Sequence, residues 1–270
     1  MTEPDTTTRM YTHRSDVLCD DVGDGAPIVF AHGTLMDRTM FQTQIEALND
    51  EYRVVAYDLR ARTDRWMGPY HLDDLVEDCR AFIDARRIDS CVLGGMSMGG
   101  FMGLRFALEY PDYLDGLVLI DSMAMPHDEG EKEQYGGMIE QVKGEDRPSD
   151  QLADVVTQIL FGGTTNAENE ELVEEWVNRW KTYPGDAIYH EVSSWLDRPG
   201  VTDRLDEIDV PTLIVHGEED MAIEPERGEA MLEKLPDARM VRVPEAGHSS
   251  NVENPGVVNE AVREFLADVY

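Results

Sequence analysis

The chain has 270 residues, 41% of them hydrophobic, and 56 acidic residues against 23 basic ones give it a formal net charge of −33 at pH 7. This length and apolar content suit one large α/β domain or two small ones, and no apolar stretch is long enough to predict a transmembrane helix. The charge argues against nucleic acids and anionic membranes as partners, because both carry negative charge themselves.

The acidic charge is spread along the chain rather than gathered in blocks, so an acidic binding tail is not indicated. Only four basic residues are lysines, Lys132, Lys143, Lys181 and Lys234. The carboxylates on such a surface repel one another in dilute buffer, and dissolved salt weakens this repulsion by screening. Because it resembles the surfaces of proteins from salt-in halophiles, we hypothesise that the protein folds and works best in molar salt.

Two further features concern the compartment of the cell. Residues 1–9 lack the basic start and apolar stretch of a secretory signal. The three cysteines, Cys19, Cys79 and Cys91, are far apart and lack metal-ligand spacing. We therefore expect buried thiols and a reducing, cytoplasmic location.

Short β-branched runs alternate with helical patterns, which predicts a mostly parallel eight-stranded sheet with helices on both faces. Two weak strands, near residues 10–13 and 17–20, are expected to form an N-terminal hairpin. Six stronger strands are predicted at residues 27–31, 52–57, 90–94, 116–120, 212–216 and 240–243. Several are apolar throughout, as expected for strands covered on both faces.

The helical patterns fall into two groups. Residues 72–86, 98–109 and 257–269 alternate with the strands, and the first of these carries an apolar stripe of period 3.6. Strand signals stop between residues 125 and 204, where helices are predicted at 131–142, 150–160, 169–181 and 186–196. We expect residues 125–204 to be a helical cap inserted after the sixth strand, over a core made of residues 1–124 and 205–270.

The run Gly95-Met96-Ser97-Met98-Gly99 directly follows a predicted strand and opens a predicted helix. It matches G-x-S-x-G, the nucleophile elbow, in which a sharp turn leaves no room for side chains beside the serine. A bare glycine turn is the alternative interpretation, and the strand and helix on either side make it the weaker one. A serine nucleophile needs a base, an acid that orients the base, and donors for an oxyanion.

Two aspartates are candidates for the acid. Asp220 follows the strand at 212–216, where open α/β sheets place ligand-facing residues. Asp121 follows another strand and is its rival. We favour Asp220 because it lies late in the chain and ahead of a histidine, and we interpret its neighbours Glu218 and Glu219 as solvated loop residues.

The favoured base is His248, on the loop between the last strand and the last helix. His32 and His216 are weaker candidates. The order Ser97, Asp220, His248 is that of the α/β-hydrolases. The oxyanion donors are then predicted to be the amide of Met98, which follows the serine, and the amide of Thr34, in the loop after the strand at 27–31.

These pieces together resemble the α/β-hydrolase superfamily over about residues 10–124 and 205–270, and the resemblance implies the α/β-hydrolase fold. Within it the chain is similar to serine esterases, enol-lactonases and cofactor-free haloperoxidases or perhydrolases. Relatives with haloalkane dehalogenase or epoxide hydrolase activity use an aspartate nucleophile, and Ser97 argues against those activities.

One loop departs from the family pattern. Many relatives carry Asp-x-Arg-Gly-His-Gly after the second parallel strand, whereas this chain places Arg60, Arg62 and Arg65 there. These arginines either pair with the acidic surface, the interpretation we favour, or offer a carboxylate-binding patch in which Arg62 binds substrate. Met36 and Met125 are candidates for lining a broad acyl pocket, since methionine adapts to irregular apolar shapes.

The sequence thus predicts a serine hydrolase that cleaves carboxylic esters through an acyl-enzyme on Ser97. No metal or organic cofactor is expected, because the chain lacks H-E-x-x-H, a P-loop and a dinucleotide fingerprint. The nearer alternative is the same triad acting on a lactone, a thioester, a carbon–carbon bond or hydrogen peroxide. The more distant one is a non-catalytic receptor for a small ligand.

Overall fold

The computed structural model describes residues 7–12 and 15–270, and eight strands in this part of the chain form one sheet. The strands are β1 (Thr7–Thr12), β2 (Ser15–Val22), β3 (Pro27–Ala31), β4 (Arg53–Tyr57), β5 (Cys91–Met96), β6 (Leu114–Ile120), β7 (Thr212–Gly217) and β8 (Ala238–Val243). Their order is β1-β2-β4-β3-β5-β6-β7-β8. The β1–β2 hairpin is antiparallel, as is its junction with β4, and the remaining pairs are parallel.

The helices occupy the connections between the strands. They are α1 (Gln42–Leu48), α2 (Leu72–Ala85), α3 (Met98–Glu109), α4 (Glu129–Ile139), α5 (Asp150–Leu160), α6 (Gly163–Glu168), α7 (Glu170–Trp180), α8 (Gly185–Leu196), α9 (Pro225–Leu232), α10 (Ser250–Glu253) and α11 (Pro255–Val269). Within the described residues, no helix has the length and apolar character that a membrane span requires.

The sheet is covered on both faces, and β3 shows how. Ile28 and Phe30 pack into one apolar cluster with residues of α1 and α11. Val29 and Ala31, which point to the opposite face, pack into a second cluster with residues of α2 and α3. This arrangement explains why several strand sequences are apolar throughout. The eight-stranded, mostly parallel sheet with helices on both faces confirms the predicted α/β-hydrolase fold.

The predicted strands are all present, with ends that differ by a few residues. The hairpin prediction reached His13, which lies outside the described residues. All three cysteines are buried, as expected, and Cys79 and Cys91 are free thiols.

Four helices, α4 to α8 without α6, match the patterns predicted between residues 125 and 204, and they lie between β6 and β7. The helix α6 was not predicted, because Gly162 and Gly163 look like a loop. The Asn166 side chain stabilises the segment by donating to the carbonyls of Phe161 and Gly162 at 2.9 and 3.0 Å. The division into a core and a cap remains a prediction.

Candidate active site

Ser97 is the single residue between the end of β5 and the start of α3. Its φ of 50° and ψ of −113° lie in a region that residues with a side chain rarely adopt. The Ser97 amide donates to the Ile120 carbonyl at 2.8 Å, so the neighbouring strand holds the residue in this conformation. A strained backbone of this kind at a strand end is what the elbow motif predicts.

The two elbow glycines are required by close approaches of backbone. A Cβ on Gly95 would lie 2.3 Å from the carbonyl oxygen of Gly99, and a Cβ on Gly99 would lie 2.2 Å from that of Ala31. Gly100 is similarly crowded, since its Cβ would lie 2.4 Å from the Ser122 hydroxyl. The turn is therefore packed against the first parallel strand with no space for a methyl group.

The structure brings Ser97, His248 and Asp220 together in a continuous chain of hydrogen bonds. Ser97 Oγ lies 2.9 Å from His248 Nε2, and His248 Nδ1 lies 2.8 Å from Asp220 Oδ2. All three side chains are buried. With the proton of the neutral imidazole on Nδ1, that nitrogen donates to the carboxylate and Nε2 accepts from the serine hydroxyl, which is the geometry of a nucleophile with its base and orienting acid.

Asp220 is held in its ionised form. Its Oδ1 accepts from the amides of Ala222 and Ile223 at 2.8 and 3.0 Å. Burial alone would raise the pKa of Asp220, but the attraction of His248 and the hydrogen bonds from His216 and His248 lower it to about 2. The carboxylate is thus available to stabilise a charged imidazole.

His248 is correspondingly biased toward protonation. Burial would lower the pKa of His248, but the charge and hydrogen bond of Asp220 outweigh that effect and raise it above the usual value. A base whose conjugate acid is stabilised in this way accepts a proton from serine more readily.

The rival acid, Asp121, has a different task. Its Oδ1 accepts from the Gly217 amide at 2.8 Å and its Oδ2 from the Ser250 amide at 2.9 Å. Asp121 therefore joins the loop that carries Asp220 to the loop that carries His248. Desolvation on burial raises the pKa of Asp121 to about 6.

The two weaker base candidates have structural partners. His216 Nε2 donates to the Ile223 carbonyl at 2.7 Å and lies 3.3 Å from Asp220 Oδ2. His32 Nδ1 donates to the Gly33 carbonyl at 2.8 Å, and its Nε2 accepts from the Leu59 amide at 2.9 Å. Burial, followed by the charge of Arg62, lowers the pKa of His32 to about 3, so this ring stays neutral.

Asp121, His216 and Asp220 lie close enough to suggest a metal site, since one ligand atom from each falls within 4.8 Å of the others. The hydrogen bonds just described account for this proximity. His216 Nε2 is a donor to a carbonyl, and both Asp121 oxygens already accept backbone amides. The residues fit a hydrogen-bonded scaffold better than a set of metal ligands.

The predicted oxyanion donors lie beside Ser97. Met98 is the first residue of α3, so its amide has no partner within the helix. The loop that carries Thr34 passes directly over the elbow, since a Cβ on Gly33 would lie 3.2 Å from Ser97 Cβ. The next amide along this loop, that of Leu35, already donates to Glu191 Oε2 at 3.2 Å.

Ser97, His248 and Thr34 line a cavity of about 100 Å³. Most of its wall comes from apolar and aromatic side chains of the α4–α8 segment: Tyr135, Met138, Ile139, Leu152, Ala153, Val156, Ile159, Leu160, Trp180, Ile188, Val192 and Trp195. No sequence pattern identified these residues as cavity lining. The apolar periodicity of α5 and α8 was visible, but it does not say which residues face a cavity rather than a neighbouring helix.

Two predicted substrate-binding residues lie outside this lining. Met36 is fully buried in the apolar cluster on the α1 and α11 face. Met125 is half-buried, and its carbonyl accepts from Arg198 Nη2 at 3.0 Å. The structure therefore places neither residue on the cavity wall, because position near the elbow in the chain does not fix the direction of a side chain.

The predicted carboxylate-binding patch is also absent from the described cavity wall. Arg62 Nη2 forms a buried ion pair with Glu191 at 3.1 Å, and its guanidinium stacks on Tyr183 at 3.8 Å. Arg60 and Arg65 both pair with Asp78, as the favoured interpretation had it. Arg62 is therefore occupied by a carboxylate of the protein itself.

Of the two glutamates before Asp220 that were predicted to be solvated, Glu219 is instead hydrogen-bonded within the protein. Glu218 is exposed, as expected, but Glu219 accepts from the amide and hydroxyl of Thr164 at 2.8 and 2.6 Å. Glu219 thereby ties the loop before Asp220 to the start of α6.

Residues 28–261 match the alpha/beta hydrolase family. Because this match spans most of the chain, and because the fold and the elbow agree with it, the protein belongs to that family.

Several relatives are similar over nearly their whole length. The chain is 27% identical to the AB hydrolase superfamily protein YisY of Bacillus subtilis, covering 92% of this chain and 94% of the relative. It is 25% identical to 3-oxoadipate enol-lactonase 2 of Acinetobacter baylyi, covering 90% and 89%. Among solved structures, a thermophilic esterase from Thermogutta terrifontis matches with a TM-score of 0.89 and 30% identity, covering 97% of this chain and 98% of that one.

Proposed function

We propose that this hydrolase cleaves carboxylic esters through an acyl-enzyme on Ser97. The observation that carries the proposal is the chain of hydrogen bonds from Ser97 through His248 to Asp220, 2.9 and 2.8 Å long, at the wall of an apolar cavity. The similarity to a Thermogutta terrifontis esterase supports the same chemistry.

In the proposed reaction, His248 Nε2 takes the proton of Ser97 as its oxygen attacks the ester carbonyl. Asp220 keeps the imidazole oriented and offsets its positive charge. The amides of Met98 and Thr34 donate to the oxyanion of the tetrahedral intermediate. His248 then protonates the departing alcohol and later activates the water that cleaves the acyl-enzyme, so no metal or organic cofactor takes part.

The cavity wall favours an uncharged substrate. Its lining is mostly apolar, and burying a charged group there without a partner is costly. Arg62, which would have drawn an anionic enol-lactone, is paired with Glu191. We therefore propose uncharged esters with short chains as the main substrate class, with residues 125–204 acting as a cap that shapes the pocket.

The direct test is Ser97→Ala with p-nitrophenyl butanoate as substrate. Wild type should release a burst of p-nitrophenol equal to the enzyme concentration if deacylation is slow. Ser97→Ala should lower kcat by about 10⁴-fold or more, because a triad without its nucleophile loses nearly all its effect. Ser193→Ala is the matched control, since the Ser193 hydroxyl donates to the Tyr189 carbonyl within α8. Activity that persisted in Ser97→Ala would refute the proposal.

A lactone is the second candidate substrate, favoured by the similarity to 3-oxoadipate enol-lactonase 2 of Acinetobacter baylyi. The same triad would open a lactone ring with the alcohol retained in the product. Comparing kcat/KM for ethyl butanoate and γ-butyrolactone distinguishes the two substrate classes. If kcat/KM for the lactone exceeds that for the ester by more than tenfold, lactones replace esters as the proposed main substrate class.

We also propose that the protein is adapted to high salt, on the ground of its net charge of −33. Screening should relieve repulsion between surface carboxylates and raise the thermal midpoint. Scanning calorimetry in dilute buffer and in molar KCl measures this effect. A thermal midpoint that is unchanged or lower in molar KCl would contradict the proposed adaptation to high salt.

A further inference from the structure

One polar side chain on the cavity wall has no part in the proposed reaction. His127 follows β6, is buried, and lines the same cavity as Ser97 and His248. Its ring packs among three aromatic rings, with centroids 4.9 Å from Trp195, 5.5 Å from Tyr135 and 6.1 Å from Phe101. This packing fixes the orientation of the imidazole.

Arg198 determines which nitrogen of His127 carries the proton. Arg198 Nη1 lies 2.7 Å from His127 Nδ1. A guanidinium group has only donors, so Nδ1 must accept, and the proton of the neutral ring is then on Nε2. Burial, followed by the charge of Arg198, lowers the pKa of His127 to about 3, so the ring stays neutral near neutral pH. Nδ1 is used by Arg198, and no described hydrogen bond involves Nε2, so Nε2–H is the donor that this cavity-lining ring has available.

The surroundings of Arg198 strengthen this donor. Its other described hydrogen-bond partners are the carbonyls of Trp195 and Met125, at 3.3 and 3.0 Å, and its guanidinium stacks on Phe101 at 3.6 Å. These partners are neutral, unlike the carboxylate that pairs with Arg62. A cation that donates to one nitrogen of an imidazole polarises the N–H on the other side of the ring.

We propose that His127 is a specificity-determining residue whose Nε2–H donates to a second carbonyl oxygen of the substrate, apart from the ester group that is cleaved. The inference rests on the proposed function and deepens it, since it names the substrate class as esters that carry a keto group in one chain. A keto oxygen accepts hydrogen bonds and has no donor of its own. It therefore satisfies Nε2–H, whereas a hydroxyl group would also bury an O–H donor that has no acceptor in the apolar wall.

The test compares two esters of equal length, ethyl hexanoate and ethyl 5-oxohexanoate. A second pair, butyl acetate and 3-oxobutyl acetate, places the keto group on the alcohol side. The measured quantity is the ratio of kcat/KM for the keto ester to that for the plain ester, in wild type and in His127→Asn. Asparagine keeps an oxygen near the position of Nδ1 for Arg198 and removes the donor at Nε2.

We expect His127→Asn to lower this ratio about five- to tenfold for at least one pair, as loss of one hydrogen bond does. His127→Gln, whose amide reaches toward the position of Nε2, should restore part of the preference. His190→Asn is the matched control, since His190 lies on α8 outside the cavity lining, and its ratio should equal that of wild type. Ratios that stay within twofold of wild type for both pairs in His127→Asn would overturn the inference.

Binding measurements separate this inference from the proposed function. If Ser97-dependent hydrolysis is absent, the proposed function fails, and calorimetric Kd values for the same uncleaved esters in a Ser97→Ala background still test His127. Adding His127→Asn should then raise the Kd of the keto ester about five- to tenfold more than the Kd of the plain ester. Equal changes in both Kd values would overturn the inference. If His127→Asn loses its cooperative thermal transition, His127→Met replaces it, because methionine fills similar volume without a donor.

Discussion

The sheet edge that carries Ser97 and the α4–α8 segment that lines its cavity are held in place in different ways. At the sheet edge the backbone fixes the geometry: Ser97 is held at a positive φ, and two amides hold Asp220. In the α4–α8 segment, apolar and aromatic side chains form most of the cavity wall. The comparison indicates that the proposed chemistry depends on backbone motifs, whereas the proposed substrate selectivity depends on side chains that follow no motif.

The two regions are in contact at the loop that carries Thr34, the proposed oxyanion donor. Glu191, on α8, accepts from the Leu35 amide at 3.2 Å while it pairs with Arg62. Trp195, also on α8, donates through Nε1 to Thr34 Oγ1 at 2.9 Å. Movement of α8 would therefore shift the loop that holds the Thr34 amide. A second link, between Glu219 and Thr164, connects α6 to the loop before Asp220.

The largest effect is expected at the sheet edge, from Asp220→Asn. An amide cannot stabilise the imidazolium as a carboxylate does, so kcat should fall about 10⁴-fold, or about 5.5 kcal/mol in the barrier. Because Asp220 raises the pKa of His248 above its usual 6.5, the acid limb of kcat/KM should lie above that pH in wild type. It should move to lower pH in Asp220→Asn, and a pH profile with p-nitrophenyl butanoate measures both changes.

Asp121→Asn is the comparison for this experiment, because Asp121 bonds the amides of Gly217 and Ser250 rather than His248. Its effect on kcat should be much smaller than that of Asp220→Asn. The opposite ranking would make Asp121 the acid and would contradict the assignment of Asp220.

The next largest effect is expected from the ion pair between Arg62 and Glu191, which lies where the two regions meet. Glu191 and Arg62 are both buried, with exposed side-chain fractions of 0% and 4%. Glu191→Gln leaves the Arg62 charge without a counter-charge, which should cost about 3–5 kcal/mol of unfolding free energy, measured by urea denaturation. Replacing both residues, as Arg62→Met with Glu191→Leu, should recover most of this loss. Equal stability of Glu191→Gln and wild type would show that the ion pair does not join the regions.

The same contrast explains what the sequence predicted. The elbow, Asp220 and His248 follow strand ends, and short local patterns are enough to predict where strands end. The helix α5 was predicted with its observed bounds, and its first turn is capped locally, since Ser149 Oγ accepts from the Leu152 amide. In each case the information lies within a few residues of the feature itself.

The errors concern contacts between distant parts of the chain. The partner of Arg62 lies 129 positions away, so the pattern of arginines alone did not reveal a buried ion pair. Glu219 bonds Thr164, 55 positions earlier, and was interpreted as solvated. The cavity wall was missed for the same reason, since helical periodicity gives an apolar face but not its neighbour.

The smallest effects come from a pair of glycine substitutions, one in each region. A methyl group in Gly99→Ala would lie 2.2 Å from the Ala31 carbonyl oxygen and 2.9 Å from that of His32. Because both obstacles are backbone, the elbow must shift, and we expect a loss of about 3 kcal/mol in unfolding free energy. Gly137→Ala, in α4, meets nothing within 4 Å and should stabilise the protein by about 0.5–1 kcal/mol, since alanine is the better helix former.

Urea denaturation of both variants against wild type measures the difference. If the unfolding free energy falls in Gly99→Ala and rises in Gly137→Ala, the result supports the contrast. The backbone then fixes the sheet edge, whereas the helical segment tolerates substitution. A Gly99→Ala protein as stable as wild type would mean that β3 and the elbow can separate by the width of a methyl group. In that case Ser97 would not be held by backbone packing, and the contrast between the two regions would fail at the residue on which the proposed chemistry depends.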